Sequence, residues 1–151
     1  MIKYFLGIIT IVFGVLFLLS SCQQKSDNGI PVIGFVDAFE DETIGQARIG
    51  FIQALDDLGY SEKDSTVEFI FRNAQGDIST LTQIISYFNS QDVDLIAANS
   101  TMASIAAIQK SRNIPVFMMV SAEPKNMKVT DSKGNAPKNL YGISETLDYI
   151  D

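Results

Sequence analysis

Acidic, aromatic and hydroxyl side chains are grouped in a few short stretches of this 151-residue chain, and two of these stretches could bind a small molecule. The first contains the carboxylates Asp37, Glu40, Asp41 and Glu42, with the ring of Phe39 among them. This set predicts a site for a cationic or amine-bearing ligand, with Phe39 as its apolar wall. The alternative is that residues 40–42 only offset the positive N-terminal end of a following helix.

The second stretch is Asn99-Ser100-Thr101, which directly precedes a predicted helix. Hydroxyl groups and unpaired backbone N–H groups at a helix N-terminus bind a carboxylate or another anion. Ser100 or Thr101 could equally be an ordinary N-cap, and the two roles are compatible. Ser121 and Ser144 follow two later apolar runs and should lie at the same edge of a sheet. The predicted ligand contacts are Phe39, Ser100, Thr101, Ser121 and Ser144.

The residues that are missing from the sequence exclude several kinds of enzyme. There is no histidine, and Cys22 is the only cysteine, so a histidine-centred triad and a His/Cys zinc site are excluded within this chain. No glycine-rich phosphate-binding motif is present either. Acid–base catalysis by Asp37, Glu40 or Glu123 is the remaining catalytic alternative. We therefore predict a protein that is not an enzyme and has neither a cofactor nor a metal.

The net charge of −7 also limits the partners of the chain. Nucleic acid binding needs clustered Lys and Arg side chains, so we predict no nucleic acid partner. The same excess of carboxylates argues against electrostatic adhesion to anionic lipid.

Short apolar runs alternate with helical patterns from Pro31 onward, and this alternation predicts the fold. The runs are typical of buried strands and cover residues 32–36, 67–71, 94–98, 116–120 and 140–143. Strands that alternate with helices form a parallel sheet covered on both faces. We expect a three-layer α/β fold, a Rossmann-like lobe, in which ligands bind at the carboxyl ends of the strands.

Three helices are predicted between these strands. The first has an apolar stripe and a closing Gly59, the second is capped by Asp77, and the third includes residues 103–108. The stripe of the first helix consists of Ile44, Ala47, Phe51, Ala54, Leu55 and Leu58. That of the second consists of Leu81, Ile84, Ile85 and Phe88.

The first 22 residues have the layout of a secretory signal. Lys3 precedes an apolar run over residues 5–19, and two serines and Cys22 follow it. The Leu-Ser-Ser-Cys junction resembles the lipobox of bacterial lipoproteins, in which the cysteine is acylated. The alternative is an uncleaved membrane anchor, but the run is shorter than the ~20 residues that span a bilayer. We predict a signal peptide with a signal helix over residues 1–21, a lipidated tether over 22–30 and an α/β lobe over 31–151. The protein would then be exported and held on the membrane through lipid at Cys22, facing the periplasm or the cell exterior.

Five segments of the lobe resemble substrate-binding proteins of bacterial ABC transporters, those with the type I periplasmic-binding-protein fold. The segments are residues 47–60 (ARIGFIQALDDLGY), 73–81 (NAQGD, then STL), 93–101 (VDLIAANST), 114–120 (IPVFMMV) and 139–144 (NLYGIS). The resemblance implies two α/β lobes that close on a small molecule, such as an amino acid, and deliver it to an ABC permease.

The resemblance also implies roles for individual residues. Thr101 falls on the family's ligand-contacting Ala-Thr-Pro turn, with Met102 in place of the proline, and Ser144 matches a hydroxyl position. Ser121 falls on a Thr-Asp-Pro segment from which this sequence departs by one residue. Family members have roughly twice this mature length, so we expect the first lobe only, as a fragment or a repurposed lobe. A membrane-tethered sensor or interaction lipoprotein without a transport role is the alternative function.

Overall fold

A five-stranded parallel sheet forms the centre of the computed structural model, which describes residues 29–145. The predicted signal helix, Cys22 and the residues after Glu145 lie outside the described part. The strand order is β2-β1-β3-β4-β5, and every neighbouring pair is parallel. The strands are β1 (Val32–Asp37), β2 (Glu68–Asn73), β3 (Leu95–Asn99), β4 (Val116–Ala122) and β5 (Leu140–Glu145). The predicted three-layer α/β fold is confirmed.

Three helices connect the first four strands, and each begins at a capping side chain. They are α1 (Glu42–Asp57), α2 (Ile78–Ser90) and α3 (Thr101–Lys110). Asp41 caps α1, Asp77 caps α2 as predicted, and Ser100 caps α3 by accepting from the Ala103 amide. Within residues 29–145, no helix is both long and apolar enough to cross a membrane.

The two faces of the sheet have different cores. On the α1 face, Phe35 is fully buried and its ring contacts those of Phe51, Phe69 and Phe71. On the other face, α2 and α3 bury Phe88, Ile85, Leu81 and other apolar side chains against β1, β3 and β4. Gly34 makes this approach possible, because a Cβ atom there would lie 2.8 Å from the Phe88 ring.

The apolar stripe of α1 is narrower than the sequence predicts. Ile44 is buried, and Phe51 and Leu55 are partly buried, but Ala54 is exposed and Leu58 is 74% exposed. The reason is that the helix ends at Asp57, and the chain leaves it through Gly59, whose φ is +88°. Leu58 therefore lies at the end of the helix rather than over the sheet.

At strand β5, part of the α1 face of the sheet is not covered by other described residues. Phe117 and Met119 of β4 are partly buried there, whereas Tyr141 and Ile143 of β5 are 55% and 70% exposed. The sheet has an irregular register between Met118 and Ser121, where β4 pairs with β5. That irregularity brings Ser121 level with Ser144 at the carboxyl edge.

Candidate functional site

A cleft of about 670 Å³ lies at the carboxyl ends of β1 and β2, beside the first turns of α1. This is the edge at which parallel α/β sheets bind their ligands. Its lining includes Asp37, Phe39, Glu40, Arg48 and Phe71. The cleft therefore combines carboxylates, a guanidinium group and aromatic rings at the predicted edge of the sheet.

Asp37, at the last position of β1, is the most constrained polar group of the cleft. Its carboxylate forms an ion pair with Arg48 from the second turn of α1, and its other oxygen accepts from Nδ2 of Asn99 at 3.1 Å. Asn99 also donates to the backbone oxygen of Ile44 at 2.7 Å. These bonds connect β1, β3 and α1, so the floor of the cleft is held by side chains from three elements.

Burial raises the pKa of the Asp37 carboxyl above its ordinary value of 3.8, and the nearby Glu40 carboxylate adds to this effect. The Asn99 hydrogen bond and the Arg48 guanidinium act in the opposite direction, because both favour the ionised form. Asp37 is only 5% exposed, so its removal from water is the larger influence.

Aromatic rings form the wall of the cleft. Phe39, which follows β1, and Phe71 of β2 are both 42% exposed, a large fraction for phenylalanine beside a well-packed core. Phe71 stacks on the buried Phe35 at a centroid distance of 5.0 Å, and the Arg48 guanidinium lies 5.8 Å from the Phe71 ring centre. The two exposed rings thus offer apolar surface next to charged groups.

The acidic residues that precede α1 have mixed roles. Asp41 is the N-cap, since its carboxylate accepts from the amides of Thr43 and Ile44, and Glu42 lies in the first turn. These two side chains therefore have the alternative role given above, which is to offset the positive N-terminal end of α1. Glu40 is exposed, lines the cleft and has no ion pair within residues 29–145.

The other predicted contacts lie at the carboxyl ends of β3, β4 and β5. Ser100 and Ser121 are buried, and the hydroxyl of Ser121 is 2.6 Å from that of Ser104 in α3. The Thr101 hydroxyl accepts from the Ala122 amide at 3.0 Å, and Ser144 pairs with Ser121 across the sheet. Thr101, Ser121 and Ser144 are thus brought close together, while Phe39 lines the cleft, whose lining includes none of these three residues.

The hydroxyls of Ser100, Thr101 and Ser121 already have partners inside the lobe. Ser100 accepts from the Ala103 amide, and Thr101 ties the start of α3 to β4. The backbone also offers donors to a ligand at this helix end, because the N–H groups of Thr101 and Met102 have no partner within the helix. The assignment of these residues as ligand contacts stays a prediction.

Sequence reasoning missed Arg48 and Ser104. Arg48 follows Ile44 by four residues and precedes Phe51 by three, so it lies on the apolar stripe of α1. A cation at such a position signals a buried partner, and that signal could have pointed to Asp37. Ser104 had no comparable signal, because one serine on an alanine-rich helix is compatible with any environment.

In the described part of the chain, no group of three metal-binding side chains is close enough to hold an ion. The site is thus built from an ion pair, amide and hydroxyl groups and aromatic rings, which suit recognition of a small polar molecule with an apolar part.

A family model for ABC transporter substrate-binding proteins matches residues 30–150. The chain belongs to this family. A curated relative is the tyrosine-binding protein of Clostridioides difficile strain R20291, which is 35% identical over 115 residues. The match covers 76% of this chain and 33% of the relative, so this family member spans about a third of that protein's length.

Solved structures with the same fold also belong to longer chains. A substrate-binding protein with adhesive properties from Clostridium difficile, in its ligand-free open form, superposes with a TM-score of 0.72 at 28% identity. That match covers 80% of this chain and 40% of the other. The ABC domain from Streptococcus pneumonia, solved with L-Trp, gives a TM-score of 0.68 at 22% identity, covering 76% and 38% of the two chains. In each comparison the similarity covers two fifths or less of the other chain.

Proposed function

We propose that this substrate-binding family member forms the N-terminal lobe of an importer component that captures an amino acid and delivers it to an ABC permease. The observation that carries the proposal is the cleft in which the exposed rings of Phe39 and Phe71 stand beside the Asp37–Arg48 pair. The tyrosine-binding relative supports an aromatic amino acid as the ligand. The lobe would act by binding alone, without catalysis.

The chemistry of an amino acid matches the groups at this edge. Its ammonium group suits the carboxylate of Glu40, which has no ion pair in the described residues. Its side-chain ring suits the wall made by Phe39 and Phe71. Its carboxylate suits the N-terminus of α3, at Thr101 and Met102, where backbone N–H groups favour an anion.

An NMR titration tests this assignment. Amide resonances of the full chain, held in a neutral detergent, are followed while L-tyrosine, L-phenylalanine or, as a control, D-glucose is added. One lobe buries only part of a ligand, so we expect weak binding, with dissociation constants of about 1 mM or higher. Saturable shifts at Phe39, Glu40 and Phe71 for the aromatic amino acids alone would support the proposal. Shifts that are equal for glucose, or absent, would contradict it.

We also propose that Cys22 is acylated and holds the exported lobe at the membrane. Two or more acyl chains give stable binding, because each buried CH₂ contributes ~0.8 kcal/mol. Expression in a bacterial host with a labelled fatty acid tests this: Cys22→Ala should abolish labelling of the chain, whereas Lys25→Ala should retain it. Label that persists in Cys22→Ala would refute acylation at this residue.

A second candidate function is surface interaction without transport. It is favoured by the solved relative at 28% identity, which is described as having adhesive properties. The two functions differ in their dependence on the cleft. A host cell that takes up labelled tyrosine through this protein should lose that uptake on Glu40→Gln, whereas adhesion of the same cells to a surface should not depend on Glu40.

A further inference from the structure

A second pocket lies at the opposite edge of the sheet from the ligand cleft. It has a volume of about 470 Å³ and lies between the turn that precedes β4 and the residues that lead into β5. Among the described residues, its polar lining is Arg112, Asn113, Lys138, Asn139 and Tyr141, with no carboxylate. The amino ends of the parallel strands meet at this edge, so the pocket is separate from the site at their carboxyl ends.

The frame of this pocket is held by the amide of Asn139. Its Nδ2 donates to the backbone oxygens of Ser111 at 2.7 Å and Ile114 at 3.0 Å. These two bonds fix the turn before β4 to the residue that precedes β5. The exposed side chains of Arg112 and Lys138 therefore extend from two backbone segments that these hydrogen bonds hold together.

The ion pair described in the lobe joins Arg48 and Asp37, and neither cation of the pocket takes part in it. The charge of the lobe is segregated along the chain. Residues 29–100 contain three Lys and Arg against twelve Asp and Glu, whereas residues 101–139 contain six against two. The chain is therefore negative overall, but the part that includes β4 and leads into β5 has a net positive charge.

We propose that this pocket binds an oxyanion of the phosphate class. A guanidinium group pairs with two phosphate oxygens at once, and an ammonium group adds a compact second charge. Two cations in one pocket favour an anion with two charges over a single carboxylate. The side-chain amide of Asn113 and the hydroxyl of Tyr141 supply further donors in the lining.

The phosphate group could belong to a free anion or to a lipid headgroup. The second source rests on the proposed lipid anchor at Cys22, because the chain enters β1 at Val32, at the same edge of the sheet as the pocket. A tether attached there would hold this edge toward the membrane. The residues that line the pocket belong to the lobe itself, so binding of free phosphate does not require the lipid anchor at Cys22. The two proposals can therefore fail separately.

Lysine footprinting by mass spectrometry tests the site. The full chain in neutral detergent is treated with an acetylating reagent, with and without inorganic phosphate, and the rate at each lysine is measured. With phosphate at about 10 mM and a dissociation constant of about 5 mM, modification of Lys138 should slow about threefold. Lys63, which lies in the acidic part of the lobe, is the internal control. Arg112→Gln should remove the protection of Lys138, and the matched change Arg72→Gln should leave it.

The remaining arms identify the source of the anion. Sodium acetate at equal ionic strength should not protect Lys138; protection by acetate, or equal slowing at Lys63, would show general screening and overturn the proposal. The full chain is also inserted into vesicles of phosphatidylcholine with or without phosphatidylglycerol. Protection by phosphatidylglycerol vesicles would assign the lipid headgroup, and protection by phosphate alone would assign a free anion. No protection in any arm would overturn the site.

Discussion

Asn99 donates from Nδ2 to the carboxylate of Asp37 at 3.1 Å, which joins the last residues of β3 and β1 at the carboxyl edge of the sheet. The same amide nitrogen reaches the Ile44 oxygen in α1. Asn99 is fully buried, and its Oδ1 has no hydrogen-bond partner among the described residues. The two acceptors fix the orientation of the amide, so the Asn99 side chain holds the Asp37 carboxylate in place and does not turn toward solvent.

Removal of Arg48 should destabilise the lobe. Arg48→Met leaves the buried Asp37 carboxylate with the Asn99 amide alone, and we expect a loss of about 1–3 kcal/mol at neutral pH. Urea unfolding measures the change. Arg72→Met is the matched control, because Arg72 is exposed and has no ion pair within residues 29–145. Equal losses for the two variants would contradict the structural role of the pair.

The raised pKa of Asp37 predicts a specific dependence of stability on pH. The native state binds this proton more tightly than the unfolded chain does, so the contribution of Asp37 to stability is complete below the ordinary value of 3.8. It is lost as the pH rises through the raised native pKa. Asp37→Asn should therefore flatten this part of the stability profile, measured by urea unfolding between about pH 3 and 6.

An NMR titration of the carboxyl carbons provides a direct check. The midpoint of Asp37 should lie above 3.8, whereas that of Asp77 should lie below it, because the Thr80 hydroxyl and amide hydrogen-bond to the ionised Asp77. A midpoint of Asp37 at or below that of Asp77 would contradict the effect of burial.

Gly34 should be intolerant of a methyl group. Gly34→Ala places a Cβ atom 2.8 Å from the ring of Phe88, which is fully buried and cannot move aside cheaply. We expect a loss of about 1–3 kcal/mol. Gly50→Ala is the contrast, since Gly50 lies in α1 and an added Cβ there would meet open space beyond the backbone of its own helix. That change should stabilise the lobe by about 0.5–1 kcal/mol, and thermal unfolding compares the two.

The buried hydroxyls of Ser104 and Ser121 should be energetically coupled. Ser104→Ala leaves the Ser121 hydroxyl buried without its 2.6 Å partner, at an expected cost of about 1–3 kcal/mol. The variant with both serines changed to alanine should lose less than the sum of the single changes. A double-mutant cycle from urea unfolding measures this coupling, and strict additivity would refute it.

Phe39 is expected to affect binding without affecting stability. Its side chain is 42% exposed, so Phe39→Ala should change the free energy of unfolding by no more than about 0.5 kcal/mol. The same change should weaken binding of an aromatic amino acid about fivefold to tenfold, through loss of ring contacts. Tyr60→Ala, which removes a similarly exposed ring outside the cleft, is the control in the NMR titration.

The order of strands and helices could be predicted because apolar runs and helical spacings are local properties of the sequence. The caps by Asp77 and Ser100 were predictable for the same reason. The exposure of Leu58 was not, since the spacing of α1 continues past the point where the helix ends. The pair of Asp37 and Arg48 depends on where α1 lies on the sheet, which no local pattern determines.

Strand β1 has a consequence for how the lobe is made. It is synthesised before the strands on both of its sides, and its pairing with β3 spans 62 residues, the separation of Asp37 and Asn99. A nascent chain can pair β1 with β2 on one side, but the other edge of this apolar strand, which carries Phe35, has no partner strand until Asn99 has emerged. Long-range parallel pairing is slow and leaves such segments open to aggregation. A chaperone that shields this segment until β3 is complete would protect the molecule during its most vulnerable interval.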